Sequence, residues 1–321
     1  MRTVIIDGNA MMNVFYYGSL PPQLKGGDNQ ALYSLIPQNS WGIYVNAMQP
    51  FMKMIIDSYN LLKADHIAIC FDLGTKTARK QSCDFYKAQR AQSPLALKEQ
   101  IDIMRINLSM MGFPTFSDEL WEGDDLAATI SKKVTANPGN IAYIITTDHD
   151  YFQLSDSKTG ILMYQPNQQG FDRLVKLYPK MNLFKKYICF NEQMVCSEFG
   201  VHPSQVPDFK GIAGDSSDNI PGVEGIGDLS AKALLSVYPT VESFYDAVDQ
   251  GMDEVQFANN VPNLKRAKSV YNRMTASEAK QSALFCKNLA TTNRNVTIPN
   301  SDFVLRFDSN KYQSFMNFLT C

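Results

Sequence analysis

The stretch GIAGDSSDNIPGVEGIGDLSAKALL, residues 211–235, joins two chemistries in one short run: its first half offers carboxylates and its second half backbone amides. Asp215 and Asp218 are three positions apart, so a helix beginning at Gly214 would set both carboxylates on nearly one face, as two ligands of one cation. Gly222, Gly225 and Gly227 then form a tight hairpin feeding a second helix, with apolar Leu229, Ala233, Leu234 and Val237. This is a helix-hairpin-helix pattern over 214–237. Glycines leave N–H groups bare at a helix N-terminus, where a phosphate approaches closely and the helix dipole favours it; Lys232, one turn in, adds a charge. Taken singly, Asp215 also fits a helix N-cap and each glycine an ordinary turn. The joint spacing is what sets the stretch apart.

Three short apolar runs lie upstream, and each ends in acid. Val4-Ile5-Ile6 runs into Asp7, the run 67–71 into Asp72, and the run 141–145 through two threonines into Asp148 and Asp150. They read as buried parallel strands with helical segments at about 41–62 and 122–135, so the C-terminal edge of an α/β sheet is rimmed with carboxylates. Glu122, Asp124 and Asp125 open a helix, three acids where capping needs fewer. His149, between Asp148 and Asp150, is expected to point elsewhere. Nine carboxylates converging on one pocket repel unless divalent cations neutralise them, and oxygen-only ligation suits Mg²⁺ or Mn²⁺. Two such ions about 3.5–4 Å apart generate a hydroxide nucleophile on one side of a phosphodiester and stabilise the leaving oxygen on the other.

Composition allows this reading. The chain of 321 residues carries 30 Lys and Arg against 32 Asp and Glu. Setting nine acids aside in a metal site leaves 23, which permits a basic surface around an acidic pit. Six cysteines without a C-x-x-C pair and three scattered histidines suggest neither a zinc site nor a disulfide framework. No apolar run has transmembrane length and the N-terminal residues do not form a signal core, so a cytoplasmic protein is expected.

The remaining segments are read more coarsely. Residues 18–40, rich in Gly, Pro, Asn and Gln, form a long loop or mobile insertion. From Lys76 to Arg105 a polar, mostly helical stretch carries Arg79, Lys80, Lys87, Arg90 and Lys98 against Asp84, Glu99 and Asp102; such a run is ordinarily a solvated helix face, but here it follows Asp72 directly. Residues 160–176 are expected to be a hairpin, and the chain from about 178 helical, ending in a strand at 295–298 and a helix near 309–319.

The chain resembles the 5′-nuclease (flap endonuclease) family, most of all its stand-alone phage members and the 5′-nuclease domains of bacterial DNA polymerases. The resemblance runs from Val4 to about Ile298 and rests on IIDGN around Asp7, FD at Asp72, YKAQR at 86–90, EGDD at 122–125, TTDHD ending at Asp150, GDSSDNIPGVEGIG at 214–227 and LATTNRNVTI. It implies an α/β nuclease core over 1–177 with a mostly parallel, PIN-like sheet and a helical arch at about 76–112, continuous with a helical region over 178–321. It implies that Asp7, Asp72, Glu122 and Asp124 serve one metal ion and Asp125, Asp148, Asp150, Asp215 and Asp218 a second, some through water. Lys87 becomes the stabiliser of the scissile phosphate. Tyr86 stacks on a terminal base, Arg79 and Arg90 hold a single strand at the arch, and Gly222, Gly225 and Gly227 hold duplex phosphates with K⁺ on the hairpin carbonyls.

The implied activity is metal-dependent cleavage at 5′ ends or flaps of DNA and of RNA primers during replication, leaving 5′-phosphate and 3′-hydroxyl. The implied partners are flapped, branched or nicked DNA, RNA primers, and a replication polymerase or single-strand-binding protein, with no membrane and a monomeric chain. Two departures stand out: residues 11–15 carry no arginine where family members often have one, and segment 18–40 is longer than the family needs. Three rivals compete. A haloacid-dehalogenase-like phosphatase wants a second aspartate at the position of Asn9, a PIN-type ribonuclease lacks the glycine hairpin, and an inactive branched-DNA-binding module would have lost metal ligands, whereas all nine stand.

Overall fold

The computed structural model describes every residue except 26–29, 75, 166, 299–302 and 321. Strands β1 (Arg2–Asp7), β2 (His66–Asp72), β3 (Thr115–Asp118), β4 (Ile141–Thr146) and β5 (Thr159–Tyr164) lie parallel in the order β3-β2-β1-β4-β5. The apolar runs of β1, β2, β4 and β5 are buried on both faces, which is what parallel pairing demands, whereas β3 is only partly buried. Alternate residues serve opposite sides. Ile5, Ala68, Ala142 and Ile144 pack with Leu126 and Ile130 of α5 (Gly123–Thr135), whereas Val4, Ile6, Ile67 and Ile69 pack with α1 (Gly8–Ser19), α2 (Met48–Leu61) and α4 (Leu95–Met110).

Several sequence expectations are corrected here. Residues 160–176 are not a hairpin: β5 is followed by α6 (Gln168–Leu177), where Phe171, Leu174 and Val175 keep helical spacing and Asn167 caps the N–H groups of Gln169 and Gly170. The expected turn residue Pro166 lies outside the described residues. β5 pairs antiparallel with the later strand β7 (Tyr187–Phe190), and β7 pairs antiparallel in turn with β6 (Asn182–Phe184), so the seven-stranded sheet runs past residue 177 into a region read as helical. Residues 295–298 form no strand. Val296 N–H donates to Thr129 Oγ1 (3.1 Å) and Asn293 N–H to Asp125 Oδ1 (2.7 Å), so side chains of α5 take the place of a ladder. In segment 18–40, α1 reaches Ser19, short 3₁₀ turns follow at Pro22–Leu24 and Gln30–Leu35, and Leu24, Tyr33 and Ile36 are buried; residues 26–29 of that segment lie outside the described residues.

The arch region also takes another form. Residues 78–82 make a five-residue helix, α3, residues 83–94 are turn and extended chain, and α4 is a core helix burying Leu97, Met104 and Leu108. Pro94 at the start of α4 forbids a continuous helix through this segment.

After α7 (Glu192–Glu198), the helices α8 (Val206–Ala213), α9 (Asp228–Leu235), α10 (Val241–Asp249), α11 (Glu254–Asn260), α12 (Ala267–Met274) and α13 (Ala279–Ala290) extend the core on the α5 side of the sheet, while α14 (Ser309–Thr320) returns to the other. The first helix of the hairpin motif is α8, and it ends rather than begins at Gly214 (φ 80°). Asp215 and Ile220 then bond each other backbone to backbone, closing a turn that carries both aspartates. In α9 the buried residues are Ala231, Leu234 and Leu235, while Leu229 is 86 % exposed, because the helix starts at Asp228 and its inward face is rotated from the expected one; Val237, beyond the end of α9, is also exposed.

Gly211 lets α8 and α13 touch: a Cβ there would stand 2.8 Å from Ala283 O and 2.8 Å from Lys287 Cβ. Gly211→Val should therefore cost about 1–3 kcal/mol through overpacking. Gly18→Ala, where a Cβ meets nothing within 4 Å, should be neutral or stabilise by up to about 1 kcal/mol. Urea midpoints of the two variants check this, and equal midpoints would show that the α8–α13 contact yields.

Candidate active site

The strand ends and the turn after α8 open onto one cleft of about 1420 Å³. Seven of the nine carboxylates line it: Asp7, Asp72, Glu122, Asp124, Asp148, Asp150 and Asp215. Each is aimed by its element. Asp7 ends β1 and caps α1, its Oδ1 accepting from Ala10 N–H (3.0 Å) and its Oδ2 from Thr146 Oγ1 (2.8 Å). Asp72 ends β2 and accepts from Gly123 N–H (2.6 Å), while its own N–H donates to Asn9 Oδ1 (3.0 Å). Asp148 caps the turn that follows β4, accepting from Asp150 N–H (2.9 Å).

The other two stand behind the cleft wall. Asp218 is buried, and Asp125 faces a second cavity, its oxygens taken by Arg79, Asn293 N–H and Glu122 N–H. Asp150, Asp215 and Asp218 nevertheless bring ligand oxygens within 4.8 Å of one another.

Four cations sit on these acids. Arg79 reaches Glu122 Oε2 (2.9 Å), Asp124 Oδ1 (3.2 Å) and Asp125 Oδ1 (2.6 Å). Lys87 Nζ donates to Glu122 Oε2 (2.6 Å), and Arg90 bonds Asp218. Lys210, buried on α8, bonds Asp150 and, at 2.5 Å, Asp215. The sequence reading missed Lys210; its signal is a lysine among the buried positions Val206, Phe209 and Ile212 of a helix running into an acidic turn.

Tyr86 departs furthest from expectation. It is 4 % exposed, packed with Cys83, Ile220, Cys286 and Leu289, and its hydroxyl lies 3.2 Å from both Glu122 Oε2 and Asp218 Oδ2. No face is open for stacking, so the residue pins two carboxylates together instead. Arg79 and Arg90, expected on a single strand, spend their guanidiniums on the acids. Lys232 Nζ lies over the rings of Phe199 (5.5 Å) and Phe209 (5.3 Å). His149 does line the cleft, its ring 5.1 Å from that of Phe152, and burial holds its imidazole below the ordinary value.

In the hairpin, Gly222 (φ 67°) packs where a Cβ would meet Gly214 N at 2.3 Å, and Gly225 (φ 75°) lies under the Arg273 guanidinium. Gly227 caps α9 with open space around it.

Nine carboxylates against four cations leave a surplus of negative charge, and the free protein answers with protons. Burial, with Asp72 adding repulsion, raises the Asp7 carboxyl to about 7. Burial together with Asp124 does the same to Asp125, again to about 7. Burial would also raise Glu122 and Asp215, but Lys87 and Arg79 hold the first at about 2, and Lys210 holds the second at about 2. Oxygen donors in surplus, two of them with carboxyls raised to about 7, fit a hard divalent metal.

The pH consequence has a definite sign. Raised carboxyls make the folded chain bind more protons than the unfolded one, so the stability they contribute is full below about pH 4 and is lost as pH rises through about 7. Glu122 and Asp215 act oppositely, but only below about pH 4.5. Melting in EDTA should therefore fall from pH 6 to pH 8, and Mg²⁺ should raise Tm more at pH 8 than at pH 6. A Mg²⁺ shift independent of pH would show that Asp7 and Asp125 do not titrate with the metal.

Comparison with known proteins places this geometry. Residues 2–188 match the N-terminal resolvase-like domain of 5′-3′ exonucleases, and residues 201–312 the C-terminal SAM fold of the same proteins. DNA polymerase I of Caldicellulosiruptor bescii is 33 % identical over 251 residues, which is 78 % of this chain and 26 % of the polymerase. The chain thus spans about a quarter of that relative's length. A 5′-3′ exonuclease of Bacillus subtilis is 27 % identical over 82 % of this chain and 83 % of its own. Among solved structures, the flap endonuclease of bacteriophage T5 in complex with DNA and metal ions superposes with a TM-score of 0.54 at 19 % identity, covering 90 % of this chain and 98 % of that one. No helix among the described residues is long and apolar enough to cross a membrane.

Proposed function

This chain belongs to the 5′-3′ exonuclease family, and we propose that it is a structure-specific 5′-nuclease that hydrolyses phosphodiesters at 5′ ends or flaps of DNA and of RNA primers, leaving 5′-phosphate and 3′-hydroxyl. The observation that carries the reading is the cleft rimmed by seven carboxylates, with Lys87 and Arg90 on the same wall. Acids alone would repel a phosphodiester. Divalent ions, Mg²⁺ or Mn²⁺, invert that field and supply Lewis-acid polarisation of the phosphate and activation of water.

Asp7, Asp72, Glu122 and Asp124 would form one holding set and Asp148, Asp150, Asp215 and Asp218 the other, while Asp125, expected in the second set, faces the cavity behind the wall with its oxygens taken by Arg79, Asn293 and Glu122. Thr146 orients Asp7, Thr77 orients Glu122 through Oε1 (2.9 Å), and Lys210 keeps Asp150 and Asp215 together while the metal is away. Glu122 and its neighbours keep Lys87 protonated against the opposing effect of burial, so it meets a transferring phosphoryl group as a fixed positive charge. With Glu122, Asp124 and Asp218 holding metal, Arg79 and Arg90 would be freed to meet strand phosphates. The open N-terminus of α9 at Gly227, behind Gly222 and Gly225, holds a duplex phosphate, with K⁺ on the hairpin carbonyls. A monomer acting in the cytoplasm beside a replication polymerase or single-strand-binding protein is the setting that this substrate class implies.

The test is incubation with 5′-labelled flap, blunt duplex and RNA–DNA hybrid in Mg²⁺ and in EDTA. Release of labelled 5′ fragments from the flap in Mg²⁺ alone is expected. Intact substrate in both, with flap binding retained, would make the chain a branched-DNA-binding protein.

A further inference from the structure

A second cavity, of about 770 Å³, opens on the far side of the Arg79–Asp125 pair from the cleft. It shares no lining residue with the cleft, and its volume falls within the roughly 300–1,000 Å³ of small-molecule sites. Trp121, Lys132 and Arg294 line it. Its one carboxylate, Asp125, is already bonded by Arg79 (2.6 Å) and by Asn293 N–H (2.7 Å).

The two other cations are uncompensated. Lys132 Nζ donates to Asn295 Oδ1 (2.6 Å) and has no ion pair among the described residues. Arg294 has none either, and its Nε is buried without a hydrogen-bond partner. A cavity lined by two basic side chains with no carboxylate partner among the described residues, beside an indole, is arranged for an anion that enters. An anion satisfies Lys132 and Arg294, and a planar ring suits Trp121. A nucleotide carries both.

We propose that this second cavity is a nucleotide-binding site, taking a 5′-phosphorylated nucleoside with its base against Trp121 and its phosphate between Lys132 and Arg294. Two sources share this chemistry: a free mononucleotide and the terminal nucleotide of a strand. The inference goes beyond the cleavage reaction and does not depend on it, since nothing in the cavity is a proposed metal ligand except Asp125, whose oxygens are occupied.

The chain has two tryptophans, and Trp41 is 62 % exposed and stacked on Phe318, away from the cavity. Trp41→Phe therefore leaves Trp121 as the only indole reporter. In EDTA, its emission is titrated with thymidine 5′-monophosphate, thymidine, and a 5′-phosphorylated hexathymidylate. A saturable change with the monophosphate is expected, at least tenfold weaker with thymidine and at least tenfold weaker when Lys132→Gln and Arg294→Gln are combined. Lys132→Gln alone, at an exposed side chain, should weaken it several-fold and guards against misfolding of the double variant. Tenfold tighter binding of the hexathymidylate identifies a strand end as occupant, and equal binding a free mononucleotide. No saturable change at millimolar nucleotide, or parental affinity in both variants, overturns the proposal. Flap cleavage in Mg²⁺ on the same preparations is a separate readout, so an inactive enzyme that still binds nucleotide refutes the cleavage reading and not this one.

Discussion

Asp150→Asn and Asp124→Asn are each expected to abolish Mg²⁺-dependent cleavage while leaving affinity for branched DNA within a few-fold of the parent. The two residues come from different elements lining the cleft, Asp124 from the first turn of α5 and Asp150 from the turn after β4, and each is ion-paired with a basic neighbour, Arg79 or Lys210. Asparagine keeps size and one acceptor oxygen but removes the charge, so the folded protein loses a proposed metal ligand without opening a void. Lys210 retains Asp215 and Arg79 retains Glu122 and Asp125, which is why neither variant should misfold. Binding should survive because the proposed function has duplex phosphates held at the hairpin and not at the acids. The measurement is single-turnover cleavage of a labelled 5′-flap in Mg²⁺ beside affinity for the same substrate in Ca²⁺. Substantial residual turnover in both variants would show that these carboxylates are not ligands.

Much of this site is legible along the chain, because an apolar run ending in aspartate is a local signal. Asp7, Asp72 and Asp148 end up where the strand reading puts them, since parallel strands buried on both faces have one edge to offer. The misreadings have a different origin. Residues 168–177 look like a strand only when alternation is sought; the spacing of Phe171, Leu174 and Val175 and the capping by Asn167 favour a helix. Asp215 and Asp218 leave a turn and not a helix because Gly214 adopts a positive φ, which a three-residue spacing does not reveal.

The basic segment 79–90 was the least legible. Nothing local says that Tyr86 will be buried under α13, since Cys286 and Leu289 lie some 200 positions away; once it is, Arg79, Lys87 and Arg90 are carried onto the acids. Lys210 was missed for the same reason, its partners being a turn from another strand and its own next turn.

Lys87→Ala is expected to lower the single-turnover rate about 10²–10³-fold, the scale of losing one preorganised stabiliser of transition-state charge. Its ammonium stands 2.6 Å from Glu122 Oε2 and 3.9 Å from Asp218 Oδ2, so on the proposed reading it would compete with metal for the acids before the reaction and serve the phosphate during it. Removing it should therefore leave metal affinity unchanged or tighter while the rate falls, and those opposite directions separate a catalytic charge from a structural one. The backbone adds a second control. Lys87 has φ 55°, held by its N–H donating to Asp218 O (2.9 Å), a conformation that glycine adopts freely and alanine does not. Lys87→Gly and Lys87→Ala should lose rate equally if the charge is what matters, with the glycine variant the more stable of the two. A glycine variant that keeps the parental rate would show that the Lys87 charge is not what the reaction needs, and a loss of flap affinity with no loss of rate in either would reduce Lys87 to part of a basic face.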